Sequence, residues 1–252
     1  MQIDTIRDQL KQLRLPVASG ALEEFIAKRK LKSDFTWLGD LLEMELDARK
    51  ENAVERRIKR ATFPERRSLD QFNWDFNKKI DREKIEELST CRFIEQNEIA
   101  LLLGGTGTGK THCAIAIGLQ AAQMGHTVFC TSVKRLSQRI RIAIQKNTLD
   151  LLFKQILTSK LWILDDWGVV TMPRDVSEEI FDLFDRRKQS SAMILTSNRD
   201  VEEWPQVFSD PILANAAIDR MFENAKIVLF QGPSYRMNGR IVIRDIDNEK
   251  SD

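Results

Sequence analysis

Ile99-Ala-Leu-Leu-Leu-Gly104-Gly-Thr-Gly-Thr-Gly109-Lys110-Thr111 sets five apolar residues directly ahead of a glycine-rich run closed by a lysine and a hydroxyl. Gly104, four residues, then Gly109-Lys110-Thr111 satisfy the G-x(4)-G-K-[ST] spacing, and the Ala- and Ile-rich segment that follows reads as a helix. Strand, loop and helix in that order make a phosphate cradle. Backbone N–H groups of Gly104, Gly105, Thr106, Gly107, Thr108 and Gly109 curl around a β-phosphate, and the helix N-terminus adds positive potential. Lys110 is expected to neutralise β- and γ-phosphate charge, and the Thr111 hydroxyl to ligate Mg²⁺. The ligand read from this segment is therefore ATP with Mg²⁺.

Working outward, Leu161-Trp-Ile-Leu-Asp165-Asp166 is an apolar strand whose end delivers two carboxylates to the edge where α/β sheets bind ligands. Asp165 is expected to hold the metal, and Asp166 to orient or deprotonate the attacking water. Met193-Ile-Leu-Thr-Ser-Asn198 is a second such strand; its terminal Asn198 either lies beside the γ-phosphate or simply closes a turn. Together with Thr127–Cys130 and Lys226–Phe230 these runs predict five strands alternating with helices, such as the one carrying Val176, Ile180, Leu183 and Phe184. The fold class is α/β, with a five-stranded, mostly parallel sheet.

The remainder of the 252 residues bounds the rest. Acids and bases nearly cancel, at a formal charge of +1, so a nucleic-acid surface requires local clustering. The three cysteines and two histidines lack metal-site spacing, and His112 reads as an ordinary residue of the helix after the loop. No run approaches the ~18 apolar residues of a membrane span, and the polar N-terminus lacks a secretion signal; a cytoplasmic location is expected.

Residues 1–67 read as a small all-α domain and 68–252 as the ATP-binding domain, with 68–97 a strap and helix and 98–252 the core. Ile3, Ile6, Leu10 and Leu13 keep helical spacing up to Leu15-Pro16. A second helix is expected from Ser19 to Lys30, with Leu22, Phe25 and Ile26 on one side. A third, capped by Asp34, runs to Ala61 with Leu38, Leu41, Leu42 and Leu46 as its apolar stripe. Its charged later half is either a solvated face or a contact surface. Phe72, Trp74 and Phe76, spaced by two, predict an extended strap laid over an apolar surface.

The order of motifs resembles the AAA+ ATPases, and within them the IstB/DnaC-like family, closest to IstB. The residues that carry the likeness are Arg60-Ala-Thr-Phe-Pro64, Ser68-Leu-Asp-Gln-Phe72, Ser197-Asn-Arg199, Trp204, Phe208-Ser-Asp210-Pro211, Ala217-Ile-Asp219-Arg220-Met221 and Ser234-Tyr235-Arg236. The resemblance implies that Asn198 senses the γ-phosphate and that Arg220 is an arginine finger reaching a neighbouring subunit's nucleotide. The other reading of Arg220 is a surface ion pair with Asp219 or Glu223. Arg236 is implied as a second phosphate contact.

Two departures stand out: Gly105-Thr106 where the family commonly has two prolines, and Asp166 where many relatives have glutamate. A shorter acid sits farther from the water, which fits a slow, switch-like ATPase.

Lys134-Arg-Leu-Ser-Gln-Arg-Ile-Arg-Ile-Ala-Ile-Gln-Lys146 contains no acid. It reads as an amphipathic helix with Leu136, Ile140, Ala143 and Ile144 buried. Arg135, Arg139 and Lys146 share the opposite side, with Lys134 and Arg141 adjacent. Such a face tracks a phosphate backbone or is simply solvated.

The resemblance favours a helper of transposition that assembles as a homo-oligomer on double-stranded DNA with ATP and serves a cognate transposase. A helicase loader of the DnaC type is the first alternative and a small-molecule kinase the second; no acceptor pocket or lid for the latter is legible.

Overall fold

The computed structural model describes residues 2–28, 36–187 and 190–238. The chain divides into two compact units, Met1–Arg56 and Arg57–Asp252.

The first unit is helical. Helix α1 (Gln2–Gln12) buries Ile6 and Leu10, with Leu13 buried just beyond it, as the spacing predicts. Helix α2 (Pro16–Lys28) begins three residues before Ser19, because proline is pre-organised for the first helical position and lacks only an N–H that would be unpaired there anyway. Its expected end at Lys30, and the Asp34 cap, lie outside the described residues. Helix α3 (Thr36–Ala61) keeps Leu38, Leu42 and Leu46 half-buried, whereas Leu41, like Phe25 of α2, is exposed.

The second unit is a parallel sheet wrapped by helices. Helices α4 (Arg82–Ser89) and α5 (Arg92–Glu95) lead into β1 (Ile99–Gly104), α6 (Lys110–Gln123), β2 (Val128–Ser132), α7 (Val133–Gln145) and α8 (Leu149–Leu157). Then follow β3 (Leu161–Trp167), α9 (Arg174–Arg187), β4 (Ala192–Ser197), α10 (Pro211–Phe222) and β5 (Ala225–Phe230). The strand order is β2-β3-β4-β1-β5, and every described pairing is parallel. Residues Ile99 to Leu103 are buried throughout, as a strand covered on both faces requires. Because β1 is flanked by β4 and β5, the loop after it opens at the C-terminal edge of the sheet, beside the end of β4.

One face of the sheet is packed with aromatics. Trp167 is fully buried, with its ring centroid 5.7 Å from Phe184, 5.9 Å from Trp204 and 5.7 Å from Phe208. Truncating such a ring to alanine costs about 3–5 kcal/mol. Trp167 anchors the end of β3 just past the two aspartates. Between Leu164, paired with Leu195, and Trp167, paired with Ser197, three steps on β3 face two on β4, so the strand bulges where the acids sit.

The strap is not extended. Leu69–Gln71 forms a 3₁₀ turn and residues 74–76 a further turn. The Gln71 side chain accepts from the Ser68 N–H (3.2 Å), and Asn73 Oδ1 accepts from the Phe76 N–H (3.1 Å). These local side-chain bonds compete with a ladder and win. The expected alternation survives in burial as far as Phe76, since Phe72, Trp74 and Phe76 are half-buried and Gln71, Asn73 and Asp75 exposed, with Asn77 buried after them. No helix among the described residues is long and apolar enough to cross a membrane.

Candidate functional site

The loop after β1 is held open by contacts that only glycine permits. Gly107 has φ +76°, and a Cβ there would lie 2.1 Å from Ser234 Oγ. Gly109 has φ +109°, and a Cβ there would lie 2.5 Å from the Phe72 ring. The strap and the segment after β5 thus press on the loop from outside. The Tyr235 N–H donates to the Gly107 carbonyl (2.9 Å), and His112 Nε2 lies 2.8 Å from the Ser68 carbonyl oxygen. His112 therefore ties the strap to the first turn of α6.

Lys110 is 7% exposed and donates to the carbonyls of Gly104 (2.7 Å) and Gly105 (2.6 Å). Burial lowers its pKa from the ordinary lysine value, and the carboxylates of Asp165 and Asp166 pull the other way. The Thr111 hydroxyl donates to Asp165 Oδ1 at 2.8 Å, which joins two hard oxygen donors across 54 residues of sequence. That oxygen pair fits Mg²⁺, which takes one or two protein oxygens and completes its shell with water and phosphate.

Asp166 adopts a left-handed backbone, φ +59°, a conformation costing roughly 1–2 kcal/mol in a non-glycine residue. The bulge turns its carboxylate into the cleft. Burial and the neighbouring Asp165 raise its pKa, and Arg236 and Lys110 lower it. Asn198 Nδ2 donates to Thr106 Oγ1 (3.2 Å), so the amide at the end of β4 touches the loop.

Lys110, Thr111, Asp166, Asn198 and Arg236 line one cleft of about 380 Å³, together with the strap residues Phe72, Phe76 and Asn77. Sequence reasoning missed Thr196. Its hydroxyl donates to Asp165 Oδ1 (2.5 Å) and accepts from the Asp166 N–H (3.1 Å), so one side chain fixes both acids. Strand parity gives a signal for it, because Thr196 and Asn198 lie two residues apart.

Arg220 does not line that cleft. It lies in the last turn of α10, where Nε donates to Asp185 of α9 (2.9 Å) and the guanidinium stacks over Phe181 at 4.5 Å. The ion pair that forms is with Asp185, across to α9.

On α7, Val133, Leu136, Ile140 and Ala143 form the buried stripe, whereas Ile144 is 36% exposed. The helix turns ~100° per residue, which carries Ile144 past the edge of the stripe. Lys134, Arg135, Arg141 and Lys146 are exposed. Arg139 differs from them: it donates to Gln155 Oε1 (2.7 Å) and stacks over Phe129 at 5.2 Å, and its partial burial lowers its pKa.

The chain matches the IstB-like ATP binding protein family over residues 8–242. It belongs to that family. Among its relatives, an ATP-binding protein of insertion sequence IS21 from Pseudomonas aeruginosa is 33% identical over 237 residues, covering 94% of this chain and 89% of that protein. The IstB-like fold is that of AAA+ P-loop proteins. DnaA from Aquifex aeolicus with bound AMPPCP aligns with a TM-score of 0.57 at 20% identity, covering 70% of this chain and 54% of that one. The chain thus spans about half the length of that DnaA. The DnaC helicase loader aligns with a TM-score of 0.56 at 18% identity, covering 65% of this chain and 96% of that one.

Proposed function

We propose that this IstB-like protein is an ATP-hydrolysing switch that assembles on duplex DNA and regulates or recruits the transposase of its insertion sequence. The observation that carries the ATPase reading is the Thr111–Asp165–Thr196 chain of hydroxyl–carboxylate bonds, with Asp166 turned into the same cleft as Lys110.

Lys110 swings from the loop carbonyls to the β- and γ-phosphates of ATP. Thr111 and Asp165 would hold Mg²⁺, which would neutralise phosphate charge there. Asp166 orients the water and accepts its proton, and burial, which raises its pKa, makes it a better base. Asn198 reports the γ-phosphate, and Arg236 adds positive charge on the outer side. Arg220 leaves Asp185 and enters the cleft of an adjacent copy, which makes hydrolysis depend on assembly. Lys134, Arg135 and Arg141 on α7, with Lys146 at its C-cap, are the cations offered to the DNA backbone.

Sedimentation with ATP or ADP, on a duplex and on its single strand, tests the proposal. Large complexes formed with ATP and duplex are expected. Preference for the single strand turns the assignment to a helicase loader, and absence of nucleotide-dependent assembly on either removes both the finger and the DNA surface.

A further inference from the structure

The outer end of the cleft is aromatic. Phe72 lies edge-on to His112 and Phe76 edge-on to Tyr235, with ring centroids 5.2 Å and 4.9 Å apart. The same wall holds one buried amide. Asn77 is 4% exposed and lines the cleft, and its Nδ2 meets no hydrogen-bond acceptor among the described residues. A buried donor left unmade is destabilising, and such a group in a binding cleft points to a ligand that completes it. The amide is seated on Gly232, where a Cβ would lie 2.3 Å from Asn77 Oδ1 and 2.8 Å from Nδ2. The backbone at Gly232 thus leaves room for the amide that any side chain would remove.

We propose that Asn77 selects adenine, with Oδ1 accepting from the exocyclic N6 amino group and Nδ2 donating to N7. This rests on the cleft being a nucleotide site. The phosphate end is fixed by Lys110 and the loop, and the base extends toward the strap, where rings give it an apolar surface on which to stack. An amide presents one acceptor and one donor side by side, the complement of adenine N6 and N7. Guanine and hypoxanthine present two acceptors, O6 and N7, on that edge. Either orientation of the amide then sets oxygen against an acceptor, so the site rejects them.

Binding of ATP, ITP, 7-deaza-ATP and inorganic tripolyphosphate to the wild-type chain and to Asn77→Ala tests this by calorimetry. In the wild type, ITP and 7-deaza-ATP are expected to bind about tenfold more weakly than ATP, the effect of one unmade bond in a buried site. In Asn77→Ala, checked for folding by its melting curve, the three nucleotides are expected to converge, with tripolyphosphate unchanged. Equal wild-type affinity for ATP and either analogue overturns the assignment, even where the variant does not fold. A preference for ATP that persists in the folded variant overturns it as well. Failure of both ATP and tripolyphosphate to bind wild type removes the nucleotide-site reading itself, and Asn77 with it.

Discussion

The phosphate loop and helix α7 both gather cations, and they do so in opposite ways. In the loop, Lys110 is buried and doubly hydrogen-bonded, Thr111 is bonded to Asp165, and the glycines are pressed by Ser234 and Phe72. Along α7 and its C-cap, Lys134, Arg135, Arg141 and Lys146 stand in solvent, whereas Arg139 is fixed in place by Gln155 and Phe129. A preorganised site recognises one geometry, and it holds its groups where charge develops in a transition state. A row of solvated cations recognises charge density, tolerates sequence, and yields to salt. The difference suits the proposed switch, with its exact chemistry and adjustable grip on DNA.

The comparison is easiest to break at Arg220, which belongs to neither region in its own chain. Arg220→Ala is expected to lower the ATPase rate of the assembled protein by about 10³-fold while ATP affinity holds; an unchanged rate at saturating protein returns it to a surface ion pair. Asp166→Asn should lower kcat by about 10²-fold with KM little changed, measured by phosphate release. Because burial raises the Asp166 pKa, the same variant removes a carboxylate that is costly to ionise in the folded state. Stability of the wild type therefore falls as pH rises from the ordinary carboxylate value through the raised one, and Asp166→Asn is expected to melt higher at neutral pH.

Smaller effects sharpen the contrast. Charge reversal at Arg135 and Arg141 together should weaken duplex binding by about tenfold at moderate salt and flatten its salt dependence by about two contacts. Arg236→Ala removes a charge that lowers the Asp166 pKa, so the acid limb of the pH–rate profile should move to higher pH. Least of all, Arg139→Gln should leave DNA affinity within about twofold, since its guanidinium is already committed to Gln155 and Phe129. A loss equal to that of Arg135 would put all five cations on one working face.

How much of this was legible followed the range of the interactions. The loop, its entering strand and the helix after it are written in consecutive residues, so Gly104 to Thr111 could be read directly. The five strands were legible because buried parallel strands are continuous apolar runs. The bulge at Asp165-Asp166 was not, because it arises from pairing with β4 and from the pull of buried Trp167. The alternation of Phe72, Trp74 and Phe76 reads as extension, whereas the side chains of Gln71 and Asn73 accept from nearby N–H groups and bend the strap. Helical spacing placed Arg139 correctly on α7 yet carried no word of Gln155, 16 residues on. Nor did the Asp219-Arg220 motif reveal Asp185, 35 residues back.

Thr196 has a consequence beyond positioning. A hydroxyl owns a single proton, and here it is spent on Asp165, so the oxygen is left only to accept from Asp166 N–H. The polarity of that junction is thereby set in one direction. Asp165 and Asp166 are thus joined through one side chain, which lies two residues before Asn198. A valine at 196 would remove both bonds at once, the one to the Asp165 carboxylate and the one from the Asp166 N–H.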